Sequence, residues 1–243
     1  MSFILGVVMD PIESINPKKD STLAMMLAAQ ARGWTIYCMQ QSDLLIKSGE
    51  VHGRFSELEV RHDLHDWFSV KAIHEGPLIE LDAVLMRKDP PFDMEYIYTT
   101  YMLEMAEQAG LRVLNRPGSI RDCNEKLFAL QFPQCCPPHL VSRDPAHLRA
   151  FHTEHQDVIF KPLDGMGGAS IFRVKPNDSN LSVILETLTH QGTVQTMAQK
   201  YIPEITEGDK RILLINGEPV PYALARIPAI GESRGNLAAG GEG

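Results

Sequence analysis

Residues 158–174 constrain the fold more than any other stretch of the chain. Val158-Ile159-Phe160 is an apolar run that leads into Lys161, and Ala169-Ser170-Ile171-Phe172-Arg173-Val174 reads as a second strand. Between them lies a turn that carries Gly165, Met166, Gly167 and Gly168. Two strands joined through glycines, with a lysine at the mouth, suit either of two uses. Glycines expose consecutive backbone N–H groups and let an anion approach, while the lysine adds a mobile charge. The same residues also suit a plain hairpin turn that needs positive φ. The order G-x-x-x-x-G-K-[ST] is absent, and a strand rather than a helix follows the glycines. Neither a Walker loop nor a dinucleotide fingerprint is therefore expected.

The rest of the chain frames that hairpin. Residues 3–9 predict a strand, 22–32 a helix capped by Asp20 or Ser21, and 35–39 a second strand. This β-α-β opening predicts a parallel sheet. Residues 51–61 read as a weak hairpin edge, 83–87 as a buried strand, 93–109 as a helix and 111–115 as a strand. Arg116-Pro117-Gly118 breaks the alternation. Further helices are predicted over 122–131, 145–155 and 180–190, and a strand over 195–201. Residues 210–215 and 218–224 flank Asn216-Gly217, a strong hairpin signal.

The 243 residues suffice for a sizeable core in one to three domains. A net charge of −8 argues against sequence-independent nucleic-acid binding, which needs a basic face. No apolar run approaches a membrane span, so no membrane partner is expected. Asp10 ends the first apolar run early, which reads as a buried strand and not as a signal peptide. Cys38, Cys123, Cys135 and Cys136 match no zinc or disulfide spacing, so reduced thiols and a cytoplasmic location are expected. His62 and His65 around Asp63 and Asp66, and the pair His152 and His155, lack a third ligand at familiar spacing, so neither is expected to hold zinc.

Several segments stand together in a telling order. They are Met9-Asp10-Pro11, Met86-Arg87-Lys88-Asp89-Pro90-Pro91, Arg121-Asp122-Cys123-Asn124-Glu125-Lys126 and the glycine hairpin. Glu207-Gly208-Asp209-Lys210-Arg211, Leu224-Ala225-Arg226-Ile227-Pro228 and Gly235-Asn236-Leu237-Ala238-Ala239-Gly240-Gly241 follow. In this order they resemble the bacterial glutathione synthetase family of ATP-grasp ligases along the whole chain. The resemblance implies an α/β fold: an N-terminal open parallel α/β domain over 1–121, then an ATP-grasp fold of two α+β subdomains, 122–201 and 202–243, the last incomplete. It implies ATP-dependent joining of γ-glutamylcysteine and glycine through an acyl phosphate, with ATP and Mg2+ and a homo-oligomeric, tetrameric assembly. Another ATP-grasp carboxylate–amine ligase, or a nucleotide-binding module without turnover, stand as alternatives.

The resemblance also implies residue roles. Lys126 and Lys161 contact nucleotide phosphates beneath the turn of Gly165, Met166, Gly167, Gly168 and Ser170. Gln199, Lys200, Tyr201 and Ile202 form the hinge that binds adenine, and Asp209 binds ribose. Arg211, Arg226 and Arg234 hold carboxylates and the migrating phosphoryl group, which suits arginine's planar fork. Arg87, Lys88 and Asp89 follow a strand's C-terminal end and receive the dipeptide. Gly235, Asn236, Gly240 and Gly241 belong to a flexible lid over the substrates. Family members continue into strands that carry magnesium ligands. No metal ligand is therefore expected within these residues, and little ligase activity from them alone.

Overall fold

The computed structural model describes residues 2–229, 235–236 and 240–243. The chain divides into two compact units, Met1–Asn124 and Glu125–Gly243.

In the first unit, β1 (Ile4–Val8) leads through α1 (Ser21–Gln30) to β2 (Thr35–Met39). The Asp20 carboxylate accepts from the Leu23 N–H at 2.7 Å, which starts α1, and Gly33 at φ 77° closes the turn after it. Next come β3 (Leu44–Lys47), β4 (Glu50–Val60), β5 (Phe68–Pro77) and β6 (Ala83–Met86). α2 (Met94–Gln108), β7 (Arg112–Leu114) and α3 (Pro117–Asp122) complete the unit. Asp93 caps α2 by accepting from the Tyr96 N–H at 2.9 Å.

The sheet runs β3-β4-β2-β1-β6-β7, with β5 on the far side of β4. β2, β1, β6 and β7 are parallel, as the β-α-β opening predicts. β4 is antiparallel to β2, β3 and β5, so the sheet as a whole is mixed. Side-chain alternation along β1 splits the core between the two faces. Val8 joins Met39, Val84 and Met86 against Tyr96 and Leu103 of α2. Leu5 and Val7 join Ile36 and Cys38 against Leu23 and Met26 of α1. Each such side chain contributes about 1.5–3 kcal/mol by leaving water. This fixes the parallel strands, and with them the loops at their C-terminal ends.

Two sequence readings change here. Residues 51–61 are no weak edge: β4 spans eleven residues and is paired along both flanks. β5 was not foreseen. Lys71, His74 and Glu75 break its apolar pattern, and its pairing with β4 shifts register between Glu57 and Leu58. That irregularity destroys the two-residue period on which a strand reading depends.

The second unit opens with a turn over Glu125–Leu127 and a 3-10 turn over Phe128–Gln131. The helix expected over 122–131 is absent. α3 stops at Asp122, and Pro133 disfavours helical backbone at Phe132, which leaves too few residues for a stable helix. β8 (His139–Ser142), α4 (Pro145–His155), β9 (Val158–Pro162), β10 (Phe172–Val174), α5 (Leu181–Leu188) and β11 (Thr196–Lys200) follow. They form an antiparallel sheet ordered β10-β9-β11-β8. Val158, Phe160, Val174 and Ala198 pack on one face against Leu148 and Phe151 of α4 and Leu185 of α5. The second strand of the glycine hairpin is shorter than expected. Ala169 and Ser170 belong to the turn, where the Ala169 N–H donates to the Met166 carbonyl at 3.1 Å.

β12 (Asp209–Ile215) and β13 (Glu218–Arg226) form the expected hairpin. Asn216 at φ 52° and Gly217 at φ 82° supply the two positive values that a tight turn of this hand requires. Beyond it, Ile227 and Glu242 bond each other's backbone in an isolated antiparallel bridge. No described helix is long and apolar enough to cross a membrane.

Candidate active site

Strand register decides which side chains share a face of the four-stranded sheet. Phe160 and Ala198 face the helices, so the neighbours one residue away face the other side. Those are Lys161, Ile159 and, just before β9, Asp157; Arg173 of β10; and Met197 and Gln199 of β11. Along β9, Lys161 and Asp157 stand four residues apart, about 13 Å in an extended strand. The face thus has a lysine end and an Asp157 end.

At the lysine end, Lys161 donates to the Gln199 Oε1 at 2.9 Å. Burial, followed by the charge of nearby Lys126, holds its ammonium below the usual lysine range, while Glu125 and Cys136 act in the opposite sense. The charge of Lys126 thus reaches Lys161 and disfavours its ammonium. Lys126 donates to the Gly165 carbonyl at 2.7 Å and the Leu163 carbonyl at 3.4 Å, and pairs with Glu125 at 2.6 Å. The lysine thereby fastens the glycine turn to the segment that precedes β8.

The turn itself needs its glycines for two reasons. Gly167 and Gly168 take φ of 64° and 86°, and Ser170 follows at 56°. Gly165 is required for space, since a Cβ there would lie 2.8 Å from the Pro162 ring. Met166 is exposed, and Gly168 is buried. The turn's backbone thus needs positive φ, and Lys126 is bonded to it.

At the opposite end, Asp157 and Arg173 make a two-pronged pair at 2.9 and 2.7 Å. The Arg173 guanidinium carbon lies 3.5 Å from the centre of the Tyr201 ring. The Tyr201 N–H donates to the Asp157 carbonyl at 2.9 Å. Hydrogen bonds from Arg173 hold the Asp157 carboxyl below its usual range, and the same bonds raise Arg173. The sequence reading assigned no role to either residue. The signal was present in parity alone: Arg173 lies between two core residues, Phe172 and Val174, and so faces away from the helices. Lys200 is exposed and donates its N–H to the Pro138 carbonyl at 2.9 Å, whereas Ile202 is extended and half-exposed.

On the hairpin, Asp209 and Arg226 stand opposite each other and pair at 2.6 and 2.7 Å. Each was expected to face a ligand; here each is the other's partner. Arg211 lies two residues along β12 and is exposed. Gly235 sits against this pair, where a Cβ would come within 3.1 Å of both the Arg226 carbonyl and Asp209 Oδ2. Asn236 accepts from the Gly241 N–H at 3.1 Å, and Gly240 takes φ 88°. Arg234 lies outside the described residues, as does the lid segment over residues 237–239.

In the first unit, Arg87 donates to the Thr22 and Ser21 hydroxyls at 3.0 and 2.9 Å. Lys88 pairs with Asp10 at 2.8 Å, and the Asp89 N–H donates to the other Asp10 oxygen at 3.0 Å. Asp10 follows β1 and Arg87 follows β6, so the network joins two loops at the C-terminal edge of neighbouring parallel strands. Among the described residues no group of three His, Cys, Asp or Glu side chains converges to hold a metal.

The sequence matches two family models. The N-terminal domain of prokaryotic glutathione synthetase covers residues 3–121, and the ATP-grasp domain of the same enzyme covers 125–243. The chain belongs to the prokaryotic glutathione synthetase family. A glutathione synthetase of Pseudomonas aeruginosa is 64% identical over 243 residues, spanning 100% of this chain and 77% of the relative. One of Pseudomonas syringae pv. tomato is 63% identical over the same span, 76% of its own length. Among solved structures, D-cycloserine synthetase DcsG superposes with a TM-score of 0.59 at 15% identity, covering 93% of this chain and 72% of that one. A RimK domain ATP-grasp protein from Sphaerobacter thermophilus gives 0.56 at 16% identity, over 86% and 68%. At such identities these two likenesses speak to the fold alone. For a glutathione synthetase family member, they make the α/β unit followed by an ATP-grasp region the expected architecture.

Proposed function

We propose that this chain works as an ATP-dependent ligase that joins γ-glutamylcysteine to glycine and releases glutathione, ADP and phosphate. Family membership along the whole chain supports the reaction. The observation that carries the site is Lys161 on the sheet face away from α4 and α5, with Lys126 bonded to the glycine turn and acting on the Lys161 ammonium through its charge.

Within this proposal, Lys126 and Lys161 hold the β- and γ-phosphates, and the backbone of Gly165, Met166, Gly167, Gly168 and Ser170 closes on them. Gln199, Lys200, Tyr201 and Ile202 take the adenine, and Asp209 the ribose hydroxyls. The dipeptide enters at Arg87, Lys88 and Asp89. Its glycine-side carboxylate oxygen attacks the γ-phosphorus, the bond to ADP breaks, and an acyl phosphate forms. Glycine's amine then attacks the acyl carbon, loses a proton, and expels phosphate. Arg211, Arg226 and Arg234 neutralise the carboxylates and the migrating phosphoryl group, a task of positioning and charge rather than of covalent catalysis. For Arg226 this requires release from Asp209. Gly235, Asn236, Gly240 and Gly241 flank the cover that keeps water from the acyl phosphate.

ATP is the phosphoryl donor, and Mg2+ is the cation proposed to accompany it. The described residues give that ion no ligand set, so the neutralisation derived for this chain belongs to its own lysines and arginines. Subdomain limits at 121 and 201, a cytoplasmic location and a homo-oligomeric, tetrameric assembly complete the proposal. An ADP-release assay tests it: release should require γ-glutamylcysteine and glycine together. Equal release with another amino-acid pair would favour a different ATP-grasp ligase. Saturable ATP binding with no ADP from any pair would favour a module without turnover.

A further inference from the structure

We propose that Asp157 and Arg173 are positioning residues that set Tyr201, and through it the hinge, for recognition of the nucleotide base. The inference rests on the reading of Gln199–Ile202 as the base-binding segment. The pairing of β11 with β9 ends at Lys200 opposite Val158. The next residue, Tyr201, would be free of the sheet were it not fastened twice to Asp157. Its N–H donates to the Asp157 carbonyl, and its ring lies under the guanidinium that the Asp157 carboxylate holds.

The three residues come from three neighbouring strands: Asp157 precedes β9, Arg173 belongs to β10 and Tyr201 follows β11. β9 lies between the other two, so the clamp ties three of the four strands at this end of the sheet. A two-pronged pair fixes the plane of the guanidinium, and the plane fixes the ring stacked on it. Tyr201 is buried, whereas Ile202 just beyond is extended and half-exposed. The clamp thus holds the last anchored residue of the hinge and lets the next present its backbone edge.

Arg173 does not serve as a phosphate ligand in this arrangement. Its Nε and Nη2 are committed to Asp157, whose carboxylate compensates the charge. The carboxylate that holds it belongs to Asp157, four residues before Lys161 and so about 13 Å away along an extended strand. That span suits a purine at one end and its terminal phosphates at the other.

The test uses the full-length protein with Arg173→Lys and Asp157→Glu. Lysine keeps the charge but loses the planar fork and the stack; glutamate keeps the pair but displaces it. Expected are an ATP KM about tenfold higher for Arg173→Lys, an unchanged kcat at saturating ATP, and unchanged KM for dipeptide and glycine. Preference for ATP over GTP should narrow. A wild-type ATP KM, or a uniform loss of kcat alongside a lower Tm, overturns the positioning role. Lys161→Met is the control. If it too leaves the ATP KM unchanged, the nucleotide face has been misread. If it alone raises that KM, only the claim for Asp157 and Arg173 falls.

Discussion

Replacing Lys161 by methionine separates what the residue does for the fold from what it does for the ligand. Methionine keeps an unbranched apolar stem of similar reach, so packing around β9 is retained. What disappears is a partly buried ammonium that donates to Gln199 and feels the charge of Lys126. Its pKa is lowered from 10.5, so as pH rises the folded protein gives up this proton before the unfolded chain does. The charged form is thus a cost to the fold at neutral pH, and that cost fades as pH climbs toward 10.5. Removing the ammonium should leave the melting temperature of the ligand-free protein unchanged or raised. A bound triphosphate reverses the sign, because it favours the ammonium. Loss of one charge-assisted contact then weakens nucleotide binding by about 1.5–3 kcal/mol, about 10- to 150-fold in Kd. Calorimetric titration with a non-hydrolysable ATP analogue reads the affinity, and thermal melts without ligand read the fold. Undiminished affinity, or a markedly lower Tm in the absence of nucleotide, would refute the reasoning.

Two further outcomes follow from the pKa directions. Asp157 is held below its usual range by Arg173, so the pair stabilises the fold above about pH 4 and loses that contribution as pH falls through the lowered value. Asp157→Asn should flatten the acid limb of stability measured by urea unfolding between neutral and acidic pH; an unchanged limb would show that the pair adds nothing. Burial, then Asp43 and Glu13, pushes the Cys38 thiol up to about 12. Alkylation of the folded protein at pH 8, mapped by peptide mass spectrometry, should spare Cys38 and modify exposed Cys123 and Cys135; early labelling of Cys38 would contradict its burial.

Much of the fold was legible because local and tertiary demands agreed. Asp20 and Asp93 cap the helices that their neighbours' spacing predicts, and Asn216-Gly217 turns the hairpin that it signals. β5 escaped because Lys71 and Glu75 interrupt its apolar residues and its pairing slips by one residue. The segment around Lys126 escaped for a different reason. A lysine beside Glu125 looks like a helix surface, yet its ammonium is committed to carbonyls some forty residues later, Leu163 and Gly165. At the site, the lysines and glycines were legible as residue types. The mutual pairing of Asp209 with Arg226 was not, since a carboxylate and an arginine seventeen residues apart meet only once the hairpin register is set. The clamp of Asp157, Arg173 and Tyr201 likewise exists only across strands.

The bonds from Lys126 to the glycine turn have a bearing on selectivity. An ammonium already occupied by carbonyl oxygens is a poor trap for a passing anion, because any newcomer must first displace those partners. A lone inorganic phosphate offers one group with which to compete, whereas a triphosphate chain can engage a second lysine and the turn's own N–H donors at once. On the proposed reading of this turn as a phosphate site, idle occupancy of this kind is a threshold that favours polyvalent guests over small ions.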